Sequence, residues 1–461
     1  MLFYWHGIGF AADPIQQKGN EKKAAFDQPQ SGSLFNRWEH SFSEIYDKIT
    51  KQEFFTGDWN GQRTRLADQG VELGGTYIGE IFSNVSGGTR QGIIYEGLAE
   101  LFLSMDCEKL IGLKGGEFHI HSYYPHGPSL TGNYVNDLST VSNIDAYDSP
   151  RLEEAWYQQT FLEDILSFKI GQLAVDKEFF ISDYGSLFIS GTFGAFTMIG
   201  TDLPNPPVYP LAVPGARLRI GPSKLFYIQA GIYDGDSGAQ ALNSSGTHWN
   251  LGSQSNMLSF YEAGYKLNQE EKNKGLPGTY KVGAFLHTGK FTDVLRDNVG
   301  RSAIVSQGSP LMHDSNYGFY FIVDQMFCRE PTKENVSQQG LGVFYRVGTA
   351  PDDRNRISFY SEGGLSYQGL LPGRDEDLFG MGIAYSQISE DVRQSGRDDR
   401  DINRTTGIVL QDYETVLELT YQIAITPWWK IQPDIQYILH PGGSSTIDDA
   451  VVLGCRFNLS F

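Results

Sequence analysis

The sequence predicts an all-β protein, a transmembrane antiparallel β-barrel of about sixteen strands with a short N-terminal periplasmic helix. Three observations predict this class. The chain ends on VVLGCRFNLSF, in which apolar and polar residues alternate up to the terminal Phe461. The same alternation recurs along most of the chain, and the connections between the alternating segments are long and short in turn. In such a barrel, one face of each strand meets lipid and the other meets the lumen.

The composition fits a barrel and argues against other classes. The 461 residues include 53 Gly, 25 Tyr and 29 Phe, which suits tight turns and aromatic girdles, and no apolar stretch is long enough for a membrane-spanning helix. A net charge of -19 argues against a nucleic-acid partner, because nucleic acid requires a basic surface. Three cysteines indicate neither a disulfide framework nor a metal cluster, and no cofactor is expected.

The N-terminal region is predicted to lie outside the barrel. Residues 1–32 are expected to be a signal remnant or disordered N-terminal segment, because an apolar run ends at Ala11 and Ala12 without a preceding basic region and polar residues follow. Apolar residues then recur at three- and four-residue spacing, which predicts an amphipathic periplasmic helix over 33–53. This helix is expected to pack on the barrel rim, with a partner-binding arm as the alternative. The barrel domain is predicted over 54–461.

Sixteen segments carry the strand pattern. They cover residues 73–85, 96–106, 117–124, 151–161, 167–174, 214–220, 225–233, 258–267, 279–289, 318–326, 340–346, 357–367, 379–386, 413–423, 429–439 and 451–461. An even number lets an antiparallel barrel close with both chain ends on one side. The connections after the third, fifth, seventh, ninth and thirteenth segments are long, as outer loops are, and those after the fourth, sixth and fourteenth are short, as periplasmic turns are.

Strand parity assigns side chains to lipid or lumen. Leu218 shares a face with Ala216, whereas Arg217 and Arg219 share the opposite face. Lipid must take the apolar set, since Lys or Arg on the lipid side costs roughly 2–4 kcal/mol at the midplane. The same rule directs the following residues inward: Glu80, Glu100, Lys169, Glu262, Lys281, Arg346, Glu362, Glu418, Asp434 and Arg456. The predicted lumen is therefore wet, of mixed charge, and wide enough to conduct.

Several long motifs resemble one family. GDWNGQRTRLADQGVELGGTYIGE at 57–80, KIGQLAVDKEFFISDYGSLFISGTFG at 169–194 and YETVLELTYQIAITPWWKIQPDIQYILHPGG at 413–443 resemble the carbohydrate-selective porins of OprB type. This resemblance implies an outer-membrane porin that admits glucose and other sugars by facilitated diffusion. The terminal aromatic resembles the recognition feature for barrel insertion, so outer-membrane lipid and the barrel assembly machinery are expected partners besides small carbohydrates. Whether the barrels form homotrimers stays open.

Sugar passage needs hydrogen-bonding groups that replace hydration, and flat apolar surfaces for the C–H faces of the ring. The predicted pore-lining set that contacts substrate is Arg217, Arg219, Glu80, Glu100, Glu262, Arg346, Glu362, Glu418, Trp156, Tyr227 and Tyr233. In this hypothesis the two arginines face acidic residues such as Glu262 and Glu80 across the lumen. The alternative is that the charges solvate the lumen and brace its wall. The 175–213 connection is predicted either to fold inward and narrow the pore or to fold outward over the rim.

Other functions have weaker support in the sequence. His119 and His121 share one strand face, but they are interpreted as lumen or rim residues and no metal site is expected. No arrangement of Ser, His and an acid indicates a hydrolase, so the protein is not expected to be an enzyme. A general or differently selective porin, and a surface or adhesive barrel protein, remain the alternatives.

Overall fold

Sixteen strands form one closed barrel in the computed structural model, which describes residues 49–249, 256–269, 275–330, 339–403 and 410–461. Every neighbouring pair is antiparallel, and the last strand closes onto the first, with Glu80 opposite Arg456. The barrel strands are β1 Val71–Gly88, β2 Gly92–Asp106, β3 Gly116–His126, β4 Arg151–Phe161, β5 Leu166–Leu173, β6 Val213–Ser223, β7 Phe226–Asp234, β8 Met257–Leu267, β9 Gly278–His287, β12 Asn316–Arg329, β13 Gly340–Thr349, β14 Ile357–Gln368, β15 Leu378–Ile388, β16 Tyr413–Thr426, β17 Trp429–Leu439 and β18 Asp448–Ser460.

Each predicted segment overlaps one barrel strand, so the predicted sixteen-stranded barrel is confirmed. A separate hairpin, β10 Phe291–Asp297 and β11 Pro310–His313, lies between β9 and β12 and was not predicted, because its strands are short and lack a long alternating pattern. The α-helices are also short, the longest being Glu390–Asn403; the others are Gln62–Asp68, Cys107–Ile111, Thr197–Asp202 and Ala303–Ser306. None of the described helices is long and apolar enough to cross a membrane.

The two ends of the barrel differ in their connections. At one end, which we call the long-loop end, the connections include residues 127–150, 174–212, 235–256, 288–315 and 389–412. At the other, the short-turn end, they include 162–165, 224–225 and 427–428. This is the predicted alternation of loop lengths, and it indicates that the long-loop end faces outward.

The outer wall of the barrel is apolar. Leu419 is 43% exposed on this wall, whereas its neighbour Glu418 is 2% exposed and faces inward. Large outward side chains on other strands are also exposed, among them Ile81, Leu101, Ile170, Leu218, Val282, Phe319, Ile383 and Leu453. Such a surface is stable in lipid rather than in water, and it confirms the predicted assignment of the strand faces.

Phe55, near the start of the described residues, meets the C-terminal residues at the short-turn end. The backbone N–H of Phe55 donates to the carbonyl oxygen of Ser460 at 2.8 Å, and the ring of Phe55 lies edge-on to that of Phe461, 5.7 Å between centroids. Residues 1–48 lie outside the described residues, and so does most of the predicted helix over 33–53. Of that helix, residues 49–51 are described as helical.

Candidate functional site

A long connection folds from the long-loop end into the barrel. It comprises residues 174–212 between β5 and β6, and we call it the inner loop. Its five phenylalanines are almost fully buried in a cluster with aromatic residues of the inner wall: Phe179, Phe180, Phe188, Phe193 and Phe196. The rings of Phe196 and Tyr360 of β14, for example, lie 5.2 Å apart. Burial of this aromatic surface stabilises the inward arrangement, one of the two that the sequence allowed.

Glycines on the facing strands make room for the inner loop. A Cβ atom at Gly382 of β15 would lie 2.8 Å from Cζ of Phe193, and one at Gly342 of β13 would lie 2.0 Å from Cε1 of Tyr184. Both distances are shorter than real Cβ contacts. The absence of side chains at these inward positions therefore lets the aromatic rings reach the wall.

An arginine of the inner wall binds the backbone of the inner loop. The Arg346 guanidinium donates to the carbonyl oxygens of Phe180 and Phe193 at 2.8 and 2.7 Å. It also forms a salt bridge with Glu362, which in turn accepts from the hydroxyl of Tyr360. Arg346 and Glu362 are at most 1% exposed. The pair thus satisfies loop carbonyl groups that lie away from bulk water.

Two carboxylates bind the loop N–H groups in the same way. Glu418 accepts from the backbone N–H groups of Ile189 and Ser190 at 2.6 and 2.9 Å. Glu262 accepts from the N–H of Phe180 at 3.1 Å and from the hydroxyl of Tyr227 at 2.7 Å. These bonds satisfy backbone N–H groups that lie away from bulk water, so they fix the position of the loop.

Four predicted pore-lining residues therefore lie behind the inner loop. Glu262, Arg346, Glu362 and Glu418 all face inward, as strand parity predicts, but they are buried against the loop or its anchoring side chains. In this structure the loop covers these four side chains, and their role as sugar contacts stays a prediction. The physical reason is that backbone groups of a loop inside a barrel need partners, and these wall charges supply them.

The 127–150 connection also enters the barrel, next to β1 and β16 to β18. Val135 and Val141 pack in a buried cluster with Phe82 of the wall. Glu414 accepts from the backbone N–H groups of Leu138 and Ser139 at 2.7 and 2.9 Å. Two inward segments thus occupy the long-loop half of the lumen, and they narrow the path for a solute.

Charged and aromatic groups gather where the start of the inner loop meets β2 to β7. We call this group the polar cluster, and it consists of Glu100, His121, Arg151, Glu153, Glu154, Trp156, Lys169, Arg217 and Tyr233 on the wall, with Lys177 and Glu178 on the inner loop. Arg217 Nε donates to Glu178 Oε2 at 2.9 Å, and Lys169 forms a second salt bridge with Glu178. Lys177 Nζ lies 3.4 Å from Glu154 Oε2.

The two loop residues carry opposite charges side by side. Burial opposes the charged form of Lys177, but Glu154 and Tyr123 hold its pKa well above the usual value. Burial likewise opposes the charged form of Glu178, but Lys169 and Arg217 lower its pKa. Both groups are therefore ionised at neutral pH, and they place a positive and a negative group next to each other at the edge of the lumen.

The aromatic side chains that were predicted to contact sugar already contact other side chains of the protein. The Lys169 ammonium lies 3.9 Å from the ring centroid of Trp156, and the ring of His119 stacks on the same indole at 4.9 Å. Arg219 lies over the ring of Tyr227 at 4.0 Å, away from the salt bridges of Arg217. The two arginines are thus in different environments although they share one strand face.

The predicted opposition of these arginines to Glu262 and Glu80 is not present. Arg217 pairs with Glu178, and Glu80 pairs with Arg456, whose guanidinium also donates to Asn143 Oδ1 at 2.6 Å. Glu100 accepts from the Thr76 hydroxyl and lies 4.0 Å from His121 Nε2. Glu178 and Asn143 are loop residues, which strand parity cannot assign to a partner, whereas Arg456, Thr76 and His121 lie on barrel strands.

Several buried polar atoms of the polar cluster have no hydrogen-bond partner among the described residues. They are both carboxylate oxygens of Glu153, Nε1 of Trp156, the hydroxyl of Tyr233, Nε and Nη2 of Arg151, and Nε2 of His121. Buried polar groups in native proteins almost always have a partner. These donors and acceptors are shielded from bulk solvent, so their partner must be a small molecule enclosed beside them, such as water or a polar solute that enters between the side chains.

The sequence interpretation missed Lys177, Glu178 and Glu154. The first two belong to the DKEFF motif at 176–180. The sequence did contain a pattern that could have identified these two residues: Lys177 and Glu178, of opposite charge, stand directly before two phenylalanines. A charged side chain next to buried aromatic residues needs a partner inside the barrel.

Comparison with known proteins agrees with this architecture. The family model for the carbohydrate-selective porin, OprB family, matches residues 90–461. The chain is 26% identical over 430 residues to Porin B of Pseudomonas aeruginosa, covering 89% of this chain and 91% of that protein. It is 25% identical to the putative porin QuiX of Acinetobacter baylyi, covering 89% and 93%.

A solved structure shows the same fold. The high-pH structure of Pseudomonas putida OprB superposes with a TM-score of 0.81 at 24% identity, covering 89% of this chain and 99% of that one. The matched family model spans most of the sequence, and the closed sixteen-stranded barrel agrees with it. The chain belongs to the carbohydrate-selective porin, OprB family, and is a porin of the bacterial outer membrane.

Proposed function

We propose that the polar cluster is the place where a small neutral carbohydrate contacts this porin as it diffuses across the outer membrane. The single observation that carries the proposal is the group of buried polar atoms without protein partners, on Arg151, Glu153, Trp156 and Tyr233. A sugar presents hydroxyl groups that both donate and accept. It therefore pairs with this mixed set of donors and acceptors better than an ion of either sign does.

The charge pattern supports a neutral solute. Lys177 and Glu178 are adjacent, and each has partners of opposite charge, Glu154 for Lys177 and both Lys169 and Arg217 for Glu178. An ion gains little from a balanced pair, whereas an aligned hydroxyl group can donate to one member and accept from the other. Weak, exchangeable contacts of this kind let a solute leave as readily as it enters.

Trp156 and Glu153 provide the direct test. Trp156→Phe removes the indole N–H and keeps an aromatic ring, and Glu153→Gln keeps the shape but replaces one carboxyl oxygen by an amide NH₂ group. Loss of one hydrogen bond corresponds to about 1 kcal/mol, so each change should weaken glucose block of the ion current roughly fivefold. Trp429→Phe, on the outward face of β17, is the matched control and should leave the block unchanged.

The measurement is single-channel current in planar bilayers with glucose added, together with glucose-to-amino-acid flux ratios in liposomes. If both lumen variants keep the wild-type block and flux ratio, the polar cluster is not the sugar contact. A wild-type flux ratio near one indicates the alternative, a general porin. Absence of any channel current in folded protein indicates a surface or adhesive barrel.

A further inference from the structure

A second group of polar side chains lies at the long-loop end, far along the chain from the polar cluster. It joins Asp293 on β10, His313 on β11 and Asp353 in the connection between β13 and β14, and we call it the outer triad. His313 Nε2 lies 3.1 Å from Asp293 Oδ2 and 3.8 Å from Asp353 Oδ2. One imidazole nitrogen and two carboxylate oxygens, all within 4.8 Å of one another, therefore converge from three separate segments.

These distances suit a small divalent metal ion. Tetrahedral Zn²⁺ bound at about 2.1 Å to nitrogen and oxygen ligands separates those ligands by roughly 3.4 Å. The two distances from His313 lie on either side of that value. Asp353 is the most exposed of the three, with 27% of its side chain accessible, but its Oδ2 also accepts from Arg354 Nη2 at 3.0 Å, so a bound ion would replace that hydrogen bond.

The buried ligand is already oriented. The Asp293 side chain is 1% exposed, and its Oδ1 accepts from the backbone N–H groups of Leu295 and Arg296 at 3.0 and 2.6 Å. Its Oδ2 is thereby directed at His313. Outer contacts of this kind fix a metal ligand and raise its affinity for the ion.

The remaining segment is held in place from both sides. The backbone N–H of Val294 donates to the carbonyl oxygen of Asp353 at 2.8 Å. Arg354 donates to the Asp353 carboxylate and to the carbonyl oxygen of Ser315, the latter at 2.7 Å. The three segments thus meet through hydrogen bonds that do not involve the converging ligand atoms of Asp293 and His313, so little ordering is needed when an ion binds.

The surrounding charge favours a cation. Asp391, at the start of the helix Glu390–Asn403, lies near the carboxylates of Asp293, Asp352 and Asp353, and also near Arg296, whose Nη2 is 3.9 Å from Asp391 Oδ2. A dication at the outer triad would offset this concentration of carboxylates, which the single imidazole of His313 and the nearby guanidinium groups balance in part. We propose that Asp293, His313 and Asp353 bind a divalent transition-metal ion of Zn²⁺ type, with water completing its coordination.

The bound ion would join the β10–β11 hairpin to the β13–β14 connection. Because the metal takes the lone pair of His313 Nε2, binding displaces a proton from that atom and weakens in acid. The site therefore cross-links two outer segments and lies apart from the sugar path.

The test uses the full chain, refolded in detergent and treated with EDTA. Titration with ZnCl₂ in a calorimeter should show a binding event that weakens roughly tenfold or more in Asp293→Asn and in His313→Ala. Asp314→Asn, at the exposed carboxylate next to His313, is the matched control and should bind as wild type does. Heat-modifiable migration on gels verifies that each variant is a folded barrel.

A second readout follows the hairpin itself. Trypsin should cut after Arg301, whose side chain is 66% exposed, more slowly with zinc than with EDTA in the wild type, and at equal rates in His313→Ala. Zinc affinity that is the same in all four proteins would overturn the proposal. The proposal would also be overturned if calcium bound as tightly as zinc and still bound to His313→Ala, because that result would indicate a site made of carboxylates alone.

Discussion

Arg217 and Glu178 are joined by a hydrogen-bonded salt bridge, with 2.9 Å between Nε and Oε2, that links β6 to the start of the inner loop. Both side chains are buried to about nine-tenths. The same guanidinium donates to Gln158 and to the Ser167 hydroxyl, each at 2.8 Å. Arg217 therefore acts both as a wall residue and as a partner that holds Glu178 of the DKEFF motif, next to Lys177, against the wall.

The first prediction compares the two arginines of β6. Arg217→Ala should loosen the start of the inner loop, raise the ion conductance and lower the glucose-to-amino-acid flux ratio, because Glu178 keeps only Lys169 as a partner. Arg219→Ala should have a smaller effect, since Arg219 contacts the ring of Tyr227 and no loop carboxylate. Conductance and flux measured on both variants check this. If both variants change conductance and flux equally, or if Arg217→Ala loses stability while its flux ratio stays unchanged, Arg217 only braces the barrel wall.

The second prediction concerns the strand faces. Leu419→Arg places a charge in lipid at a cost of about 2–4 kcal/mol and should lower the yield of folded barrel. Glu418→Gln, one residue away, keeps only one of the two acceptor oxygens that bind the inner loop, so it should fold and show a noisier, larger conductance. Folding yield from heat-modifiable gels and current recordings provide the readouts. Normal insertion of Leu419→Arg together with misfolding of Glu418→Gln would place the register one residue off.

The strands could be predicted because their signal is local. Period-two alternation marks each strand and its two faces, and so Glu418 and Leu419 were assigned to the correct sides from sequence alone. The hairpin β10–β11 escaped prediction because its strands are too short to show that period.

The partners of the inward charges could not be predicted in the same way. Strand parity gives the direction of Arg346 or Glu262, but their contacts are made by backbone atoms of a loop far along the chain. The inner loop is positioned by aromatic packing against wall glycines such as Gly382, a relationship between distant residues that a periodic pattern does not contain. The predicted pore-lining set was consequently a list of inward residues, only part of which borders the lumen.

The third prediction is a pH dependence of stability. Burial raises the pKa of Asp202, at the end of the helix Thr197–Asp202, to about 8 from 3.8. The folded state therefore holds a proton that the unfolded chain has released, so the contribution of this group to stability is full below about pH 4 and is lost as the pH rises through 8.

Asp202→Asn tests this dependence. Oδ1 of Asp202 accepts from the backbone N–H groups of Arg356 and Ile357 at 2.9 and 3.1 Å, and an Asn Oδ1 can keep both bonds. The wild-type melting temperature should fall between pH 5 and pH 8 by more than that of Asp202→Asn. Asp183→Asn, at an exposed carboxylate of the same loop, is the control and should follow the wild type. If the melting temperatures of all three proteins change with pH in parallel, the pH dependence does not come from Asp202.

The last prediction concerns the packing of the inner loop against β15. A Cβ at Gly382 would lie 2.8 Å from the ring of Phe193, whereas a Cβ at Gly200, in the short helix of the same loop, would have no heavy atom within 4 Å. Gly382→Ala should therefore push Phe193 away from the wall. Overpacking of this kind costs about 1–3 kcal/mol, and here the loop rather than the barrel is free to move.

Gly382→Ala should accordingly fold as a barrel but show a larger and less stable conductance, while Gly200→Ala should conduct as the wild type does. Bilayer recordings on the two variants decide the matter, because identical currents would mean that the inner loop does not set the width of the path.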